Sequence, residues 1–298
     1  MIHHKQCPAC LSDQVFPFKD IKDHSVSGEN FAVWECGGCT MRFTQNIPDQ
    51  EQIGRYYKSD AYVSHTDTKE GLVNRIYHFI RKITIRQKRN MLVSETGKSK
   101  GSILDIGCGT GAFLHEMQKT GWNVVGLEPD DTAASIARDK HNLNPQNPQA
   151  LFGFEASAFD AITMWHVLEH VHTLDAYVGQ LKKVMKDDGV LFVAVPNYTS
   201  KDAEHYGTAW AAYDVPRHLY HFSPKSMKAL MERHGFSISK IKPMWYDAVY
   251  VSMLSEKYLV GKGRLLHAII NGFRSNIAAL FAVKKCSSLI YVVRKQNL

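Results

Sequence analysis

The chain has no apolar stretch long enough to cross a bilayer; its longest runs, such as residues 277–283, fall far short of a membrane span. Its first residues, MIHHKQCPAC, have no signal-peptide core, so a cytoplasmic protein is expected. Acidic residues are missing from two segments: residues 71–92 hold six Lys/Arg and no Asp or Glu, and residues 257–298 hold eight and none. The formal charge of +7 is therefore unevenly spread. Two basic segments suit an anionic or amphiphilic acceptor, a membrane surface or nucleic acid, or are simply solvated helix faces. There is no C-x-x-x-C-x-x-C run, which disfavours the cluster of a radical enzyme. A composition of 44% hydrophobic and 22% charged residues is that of an ordinary globular protein. At 298 residues it is long enough for one large domain and a small one.

The most informative stretch is residues 102–114, SILDIGCGTGAFL. Apolar Ile103, Leu104 and Ile106 lead into Gly107, Gly109 and Gly111 and then into a helical pattern, which reads as a buried strand, a tight turn and a helix start. Glycine permits positive φ and close approach of a ligand, and a helix start offers unpaired N–H groups. The spacing is G-x-G-x-G, not the G-x-G-x-x-G of dinucleotide sites, and Asp105 stands two residues before the first glycine. A carboxylate there repels a pyrophosphate but suits an ammonium or sulfonium group. A second apolar run, residues 123–127, ends in Glu128, which is positioned to accept hydrogen bonds from ribose hydroxyls. A dehydrogenase is disfavoured on this spacing.

Asp105, the three glycines and Glu128 together resemble the S-adenosylmethionine site of class I methyltransferases. The later segment FDAITMWHVLEHV (residues 159–171) resembles the motif after the fourth strand of small-molecule methyltransferases, including the ubiquinone-biosynthesis O-methyltransferases. An uncharacterised bacterial family with an N-terminal zinc ribbon shares the H-V-L-E-H and P-R-H-L-Y-H-F-S segments. The resemblance implies an α/β fold, a Rossmann-like doubly wound sheet, with a helical insert at residues 250–285 before the last strand. It implies that Asp105 lies near the methionine amino group and that Gly107, Cys108, Gly109 and Gly111 approach the sulfonium moiety. Glu128 would hold the ribose, Pro129 and Asp130 would flank the adenine, and Trp165 and His166 would lie beside the reacting methyl. Pro196 and Asn197 are expected in the same cleft, at the end of the fifth strand.

Cys7, Cys10, Cys36 and Cys39 form two C-x-x-C knuckles separated by 25 residues, the spacing of a tetrahedral, structural zinc site. Disulfides or a redox pair are the alternatives, and a cytoplasmic setting disfavours stable disulfides. Residues 1–45 are expected as the ribbon, 46–98 as a helical connector or lid, and 99–298 as the cofactor-binding domain. In the connector, Leu72, Ile76, Phe79, Ile80 and Ile83 mark an apolar helix face opposite Arg75, Arg81 and Lys82. Tyr56, Tyr57 and Tyr62 either close over the cofactor or pack, and packing is preferred. Residues 149–152 are the candidate third strand, and the helix after the fourth strand is expected to run to Gly189.

Residues 213–222, YDVPRHLYHF, gather two histidines, an acid and an arginine on a stretch that Pro216 stiffens. His218 or His221 is the candidate general base, with Asp214 orienting it and Arg217 meeting an anionic group. The alternative is that these side chains tie the loop to the domain. His166 and His170 have the i, i+4 spacing of metal ligands on a helix, but with no third ligand in view His170 is read as packing.

The expected activity is methylation of an oxygen or carbon atom of a small-molecule acceptor. A ribosomal or transfer RNA methyltransferase using the ribbon and basic helices to hold phosphates is a second reading. Against it, the fourth strand ends in MWHVLEH, without the Asn/Asp-Pro-Pro-aromatic motif used on exocyclic base nitrogens. An inactive zinc-ribbon binding module is a third, which the intact acids and glycines disfavour.

Overall fold

Alternating apolar residues and the two cysteine knuckles organise the N-terminal segment of this computed structural model, which describes residues 1–57, 72–261 and 263–296, with side chains from residue 81 onward in the second stretch. Strands β1 (Val15–Lys22) and β2 (Asn30–Cys36) pair antiparallel from Val15 opposite Cys36 to Lys22 opposite Asn30, with a shift between Pro17 and Lys19. Strand β3 (Arg42–Thr44) pairs with β2. The fourth strand of this sheet comes from far along the chain: in β8 (Tyr220–His221), His221 faces Arg42 and Tyr220 faces Phe43. Ile21, Phe31, Val33 and Tyr56 are buried in one cluster with Trp210, Tyr213 and Val215. The ribbon thus has an apolar core of its own making with residues 198–215, in addition to its cysteines.

The chain divides into two interleaved compact units, one of Met1–Val63, His166–Tyr177 and Ala194–Tyr291, the other of Ser64–Trp165, Val178–Val193 and Val292–Leu298. In the second unit, helix α1 (Leu72–Thr96) precedes β4 (Ser102–Ile106), α2 (Ala112–Lys119), β5 (Asn123–Leu127), α3 (Asp131–His141) and β6 (Phe159–Trp165). Strand β4 pairs in parallel with both β5 and β6, as a doubly wound sheet requires. After α4 (Leu174–Val184) come β7 (Met185–Pro196), α5 (Lys201–Tyr206) and β8, then α6 (Pro224–Arg233) and β9 (Phe236–Pro243). Helices α7 (Asp247–Val260) and α8 (Leu265–Phe281) lead to the last strand, β10 (Ser288–Lys295). The main sheet has the order β5-β4-β6-β7-β10-β9. Leu92, Ile103, Phe113, Met117 and Phe192 are among the buried residues of its core.

Two expectations about elements change. Residues 149–152 are not a strand: Pro148–Gly153 is a 3-10 turn capped by Asn147, and the third strand is reduced to a single parallel bridge between Leu127 and Gln146. Pro145 and Pro148 flank that bridge, and neither has an N–H to extend a ladder. Helix α4 stops at Val184, not Gly189, because Asp187-Asp188-Gly189 is poor helix material and the chain is already extended there. Tyr62 lies outside the described residues, as do the side chains of Leu72, Arg75, Ile76, Phe79 and Ile80. No described helix is long and apolar enough to cross a membrane.

Candidate functional site

The glycine loop takes its shape from the end of β4. Gly107, Gly109 and Gly111 have φ of 70°, 54° and 77°, a region that side-chain-bearing residues avoid. The N–H groups of Gly107 and Cys108 both donate to the Leu127 carbonyl, at 2.7 and 3.0 Å, which ties the loop to β5. Glu128 then reaches back: its Oε2 accepts from the Gly109 N–H at 2.7 Å and its Oε1 from the Asp130 N–H at 3.0 Å. Asp130 itself caps α3 by accepting from the Ala133 N–H at 2.7 Å, beside exposed Pro129.

Asp105 is buried at the end of β4, and its Oδ1 accepts a 2.6 Å hydrogen bond from the Thr163 hydroxyl of β6. Burial pushes its carboxyl up to about 7, against the Thr163 hydrogen bond and the charge of Lys88. Burial also raises Glu128, which its two backbone donors oppose. Lys88 places Nζ 4.1 Å from the centroid of the Trp165 ring, and Phe113 meets that ring edge-on at 5.8 Å. A cation thus sits on a face of the ring that is expected beside the reacting methyl. Thr163 and Lys88 were not singled out from the sequence; a hydroxyl in a strand and a lysine in a basic helix have no distinctive spacing.

In the other unit, His166 leaves β6 with φ of 59° and donates its backbone N–H to the Ala194 carbonyl. It therefore does not share a helix face with His170, which sits in the 3-10 turn Leu168–His170. The His166 ring lies between two carboxylates, with Nδ1 3.2 Å from Glu169 Oε1 and Nε2 2.8 Å from Asp247 Oδ2. Burial disfavours its charge, but those two acids raise it to about 10. His170 and His218 meet edge-on with centroids 4.7 Å apart.

The expected partnership of Asp214 with a histidine does not form. Both Asp214 oxygens accept from Arg217, at 2.7 and 3.0 Å, and Arg217 also donates to Asp23 and to the Tyr56 carbonyl. Arg217 is fully buried, so it is not free to meet an anionic ligand. His221 is 3% exposed, lies 3.3 Å from the Thr44 hydroxyl and packs on Tyr213. Burial, with His218 and Arg42 nearby, holds it well below the usual histidine range. Asn197 is likewise committed, its amide donating to the carbonyls of Lys284 and Cys286.

The four knuckle cysteines are free thiols whose sulfurs lie within 4.8 Å of one another, at 3.5 Å for Cys7–Cys39 and for Cys10–Cys36. Four sulfurs ~2.3 Å from one tetrahedral centre stand ~3.8 Å apart, so the cluster has the dimensions of a zinc site. Each knuckle closes with an amide-to-carbonyl bond, Leu11 to Cys7 and Thr40 to Cys36, and both Leu11 and Thr40 have φ of 62°.

An α/β sheet whose first three strands run parallel, with an acid at the end of each of the first two and a glycine loop between them, defines a class I S-adenosylmethionine-dependent methyltransferase. Residues 77–241 match the family model described as a methyltransferase domain, and the chain belongs to that family. It is similar to the mitochondrial ubiquinone biosynthesis O-methyltransferase of Rattus norvegicus, 25% identical over 181 residues covering 53% of this chain and 52% of that protein. It is 28% identical to the ubiquinone biosynthesis O-methyltransferase of Rhodopseudomonas palustris over 204 residues, 64% of this chain and 80% of that one. The chain spans about half the length of the first of these relatives. The magnesium protoporphyrin IX methyltransferase of Synechocystis, solved with bound S-adenosylhomocysteine, shares the fold with a TM-score of 0.54 and 14% identity, covering 83% of this chain and all of that one.

Proposed function

We propose that this chain transfers the methyl group of S-adenosylmethionine to an oxygen or carbon atom of a small-molecule acceptor. The observation that carries the reading is the pairing of buried Asp105 with Glu128 around a glycine loop of positive φ, where two carboxylates would repel a diphosphate. In this reading Asp105 accepts from the methionine ammonium, and the backbone of Gly107, Cys108, Gly109 and Gly111 lies along the amino-acid and sulfonium part. Glu128 exchanges its backbone donors for ribose hydroxyls. Pro129 and Asp130 flank the adenine, and Trp165 lies beside the methyl.

Transfer is an in-line displacement: an acceptor atom bonds to the methyl carbon as the carbon–sulfur bond breaks, leaving S-adenosylhomocysteine. Alignment alone can lower such a barrier by ~7–11 kcal/mol. A hydroxyl acceptor must also lose its proton, and a positioned base contributes ~10²–10⁴-fold. Of the expected catalytic groups, His218 is the half-buried one with a ring nitrogen left over from its Ala212 contact; His221 is buried against Thr44 and Tyr213, and Asp214 is held by Arg217.

Four thiolates at Cys7, Cys10, Cys36 and Cys39 would hold a structural zinc, which fits a reducing, cytoplasmic compartment. Residues 1–45 then act as the ribbon, 46–98 as the connector and 99–298 as the catalytic domain. An amphiphilic acceptor is favoured by α8, where Leu266, Ile270, Phe273, Ile277 and Phe281 are exposed at helical spacing and residues 257–298 carry no acid.

The test is calorimetric titration with S-adenosylmethionine, followed by an acceptor screen that detects S-adenosylhomocysteine. Binding that Asp105→Asn and Glu128→Ala each weaken supports the reading; absence of binding to the wild type ends it. With an acceptor in hand, His218→Ala should lose turnover while keeping cofactor affinity, and His221→Ala should act through stability.

A further inference from the structure

Apart from the cysteine knuckles, one set of side chains among the described residues is arranged as a ligand set. Glu169, His170 and His218 each bring one donor atom within 4.8 Å of the other two. The rest of each side chain is held from behind. His170 Nδ1 lies 2.9 Å from the Arg217 carbonyl oxygen, with the Tyr57 hydroxyl 3.1 Å away, and His218 Nδ1 lies 2.8 Å from the Ala212 carbonyl oxygen. A carbonyl only accepts, so both Nδ1 atoms carry the proton, and in the neutral ring each Nε2 presents a bare lone pair. Glu169 Oε1 is paired with His166, which Asp247 holds in turn. Glu169 Oε2 has no hydrogen-bond partner, although the residue is 0% exposed.

A buried carboxylate oxygen without a donor is costly, and two neutral imidazoles that donate from Nδ1 to carbonyls have no second hydrogen to relieve it. A cation answers all three acceptors at once. The geometry points to a second metal site, in which Glu169 Oε2, His170 Nε2 and His218 Nε2 hold a divalent first-row transition metal ion such as Zn²⁺. Two imidazoles and a carboxylate are a three-ligand set that leaves a coordination position open, unlike the closed four-thiolate set of the knuckles. Carbonyls behind each histidine, and a histidine behind the carboxylate, are the outer partners that fix tautomer and aim at such sites. The open position takes an oxygen ligand such as water, whose proton the ion makes easier to remove; with the ion bound, His218 is a ligand and not a free base.

The experiment titrates Co²⁺ into the full chain after dialysis against a chelator under reducing conditions. Two equivalents are expected, one with intense thiolate-to-cobalt charge-transfer absorption and one with only the ligand-field bands of nitrogen and oxygen coordination. Glu169→Gln and His218→Ala should each remove the second and keep the first, with unchanged circular dichroism and S-adenosylmethionine affinity. A wild type that takes up only the thiolate equivalent overturns the site, whatever the variants do. A second equivalent that survives both substitutions overturns it as well. Failure of the wild type to bind S-adenosylmethionine would instead count against the methyltransferase reading and leave the metal result standing.

Discussion

Arg217 and Asp23, 194 positions apart, form an ion pair of 2.9 Å in which both side chains are fully buried. The pair joins the loop after β1 to the segment before β8, and Asp214 and the Tyr56 carbonyl complete the guanidinium's partners. Burial alone would raise the Asp23 carboxyl, but hydrogen bonds from Arg217 and the Ser27 amide bring it down to about 2.

Two measurements follow from that pair. A carboxyl that titrates lower in the folded chain than in the unfolded one adds stability above about pH 4, and loses it as pH falls toward 2. Denaturant melts between pH 5 and 2 should show this loss, and Asp23→Asn should flatten it. Arg217→Met leaves Asp23 buried and unpaired, and should cost ~3–5 kcal/mol in the same melts. A loss below 1 kcal/mol would show that the pair is not dry.

Asp105 has the opposite sign. Its folded carboxyl titrates near 7, above the unfolded value, so the folded state holds the extra proton between about pH 4 and 7 and this group's contribution falls as pH rises through that window. An ammonium ligand needs the carboxylate, so S-adenosylmethionine affinity should rise with pH through about 7, with proton release detectable by calorimetry in buffers of different ionisation enthalpy. Asp105→Asn should weaken binding by ~10–100-fold, the scale of a hydrogen bond to a charged group, and remove the pH dependence.

The loop glycines should separate stability from binding. A Cβ on Gly111 would stand 2.6 Å from Leu143 Cδ1 and 3.0 Å from Ala137 Cβ at φ 77°, so Gly111→Ala should cost ~1–3 kcal/mol in thermal or urea melts. A Cβ on Gly109 meets nothing within 4 Å at φ 54°. Gly109→Ala should cost ~1 kcal/mol and act chiefly on cofactor affinity, because its methyl group enters the crevice. Equal stability losses in the two variants would contradict this division.

Cys36→Ser should remove one zinc equivalent by elemental mass spectrometry and lower the melting temperature, since Cys7, Cys36 and Cys39 are buried at one end of the four-stranded sheet. Because that sheet also has the apolar cluster of Phe31, Val33 and Trp210, partial rather than complete loss of its strands is expected by circular dichroism. Unchanged zinc content would remove the ribbon metal.

By itself the amino-acid order determined what is local: the strand–glycine–helix run at residues 102–114 and the two cysteine knuckles, because each depends on neighbours a few positions apart. The third strand was misread because Pro145 and Pro148 decide hydrogen bonding that an apolar count does not register. Tertiary structure alone decided the partners of the chemically versatile side chains. Arg217 was drawn inward by Asp23, His221 became part of a sheet with β3, and Lys88 came over Trp165. Glu169 and His170 were joined by His218, 48 positions later, since charges, lone pairs and rings interact through space and carry no sequence period.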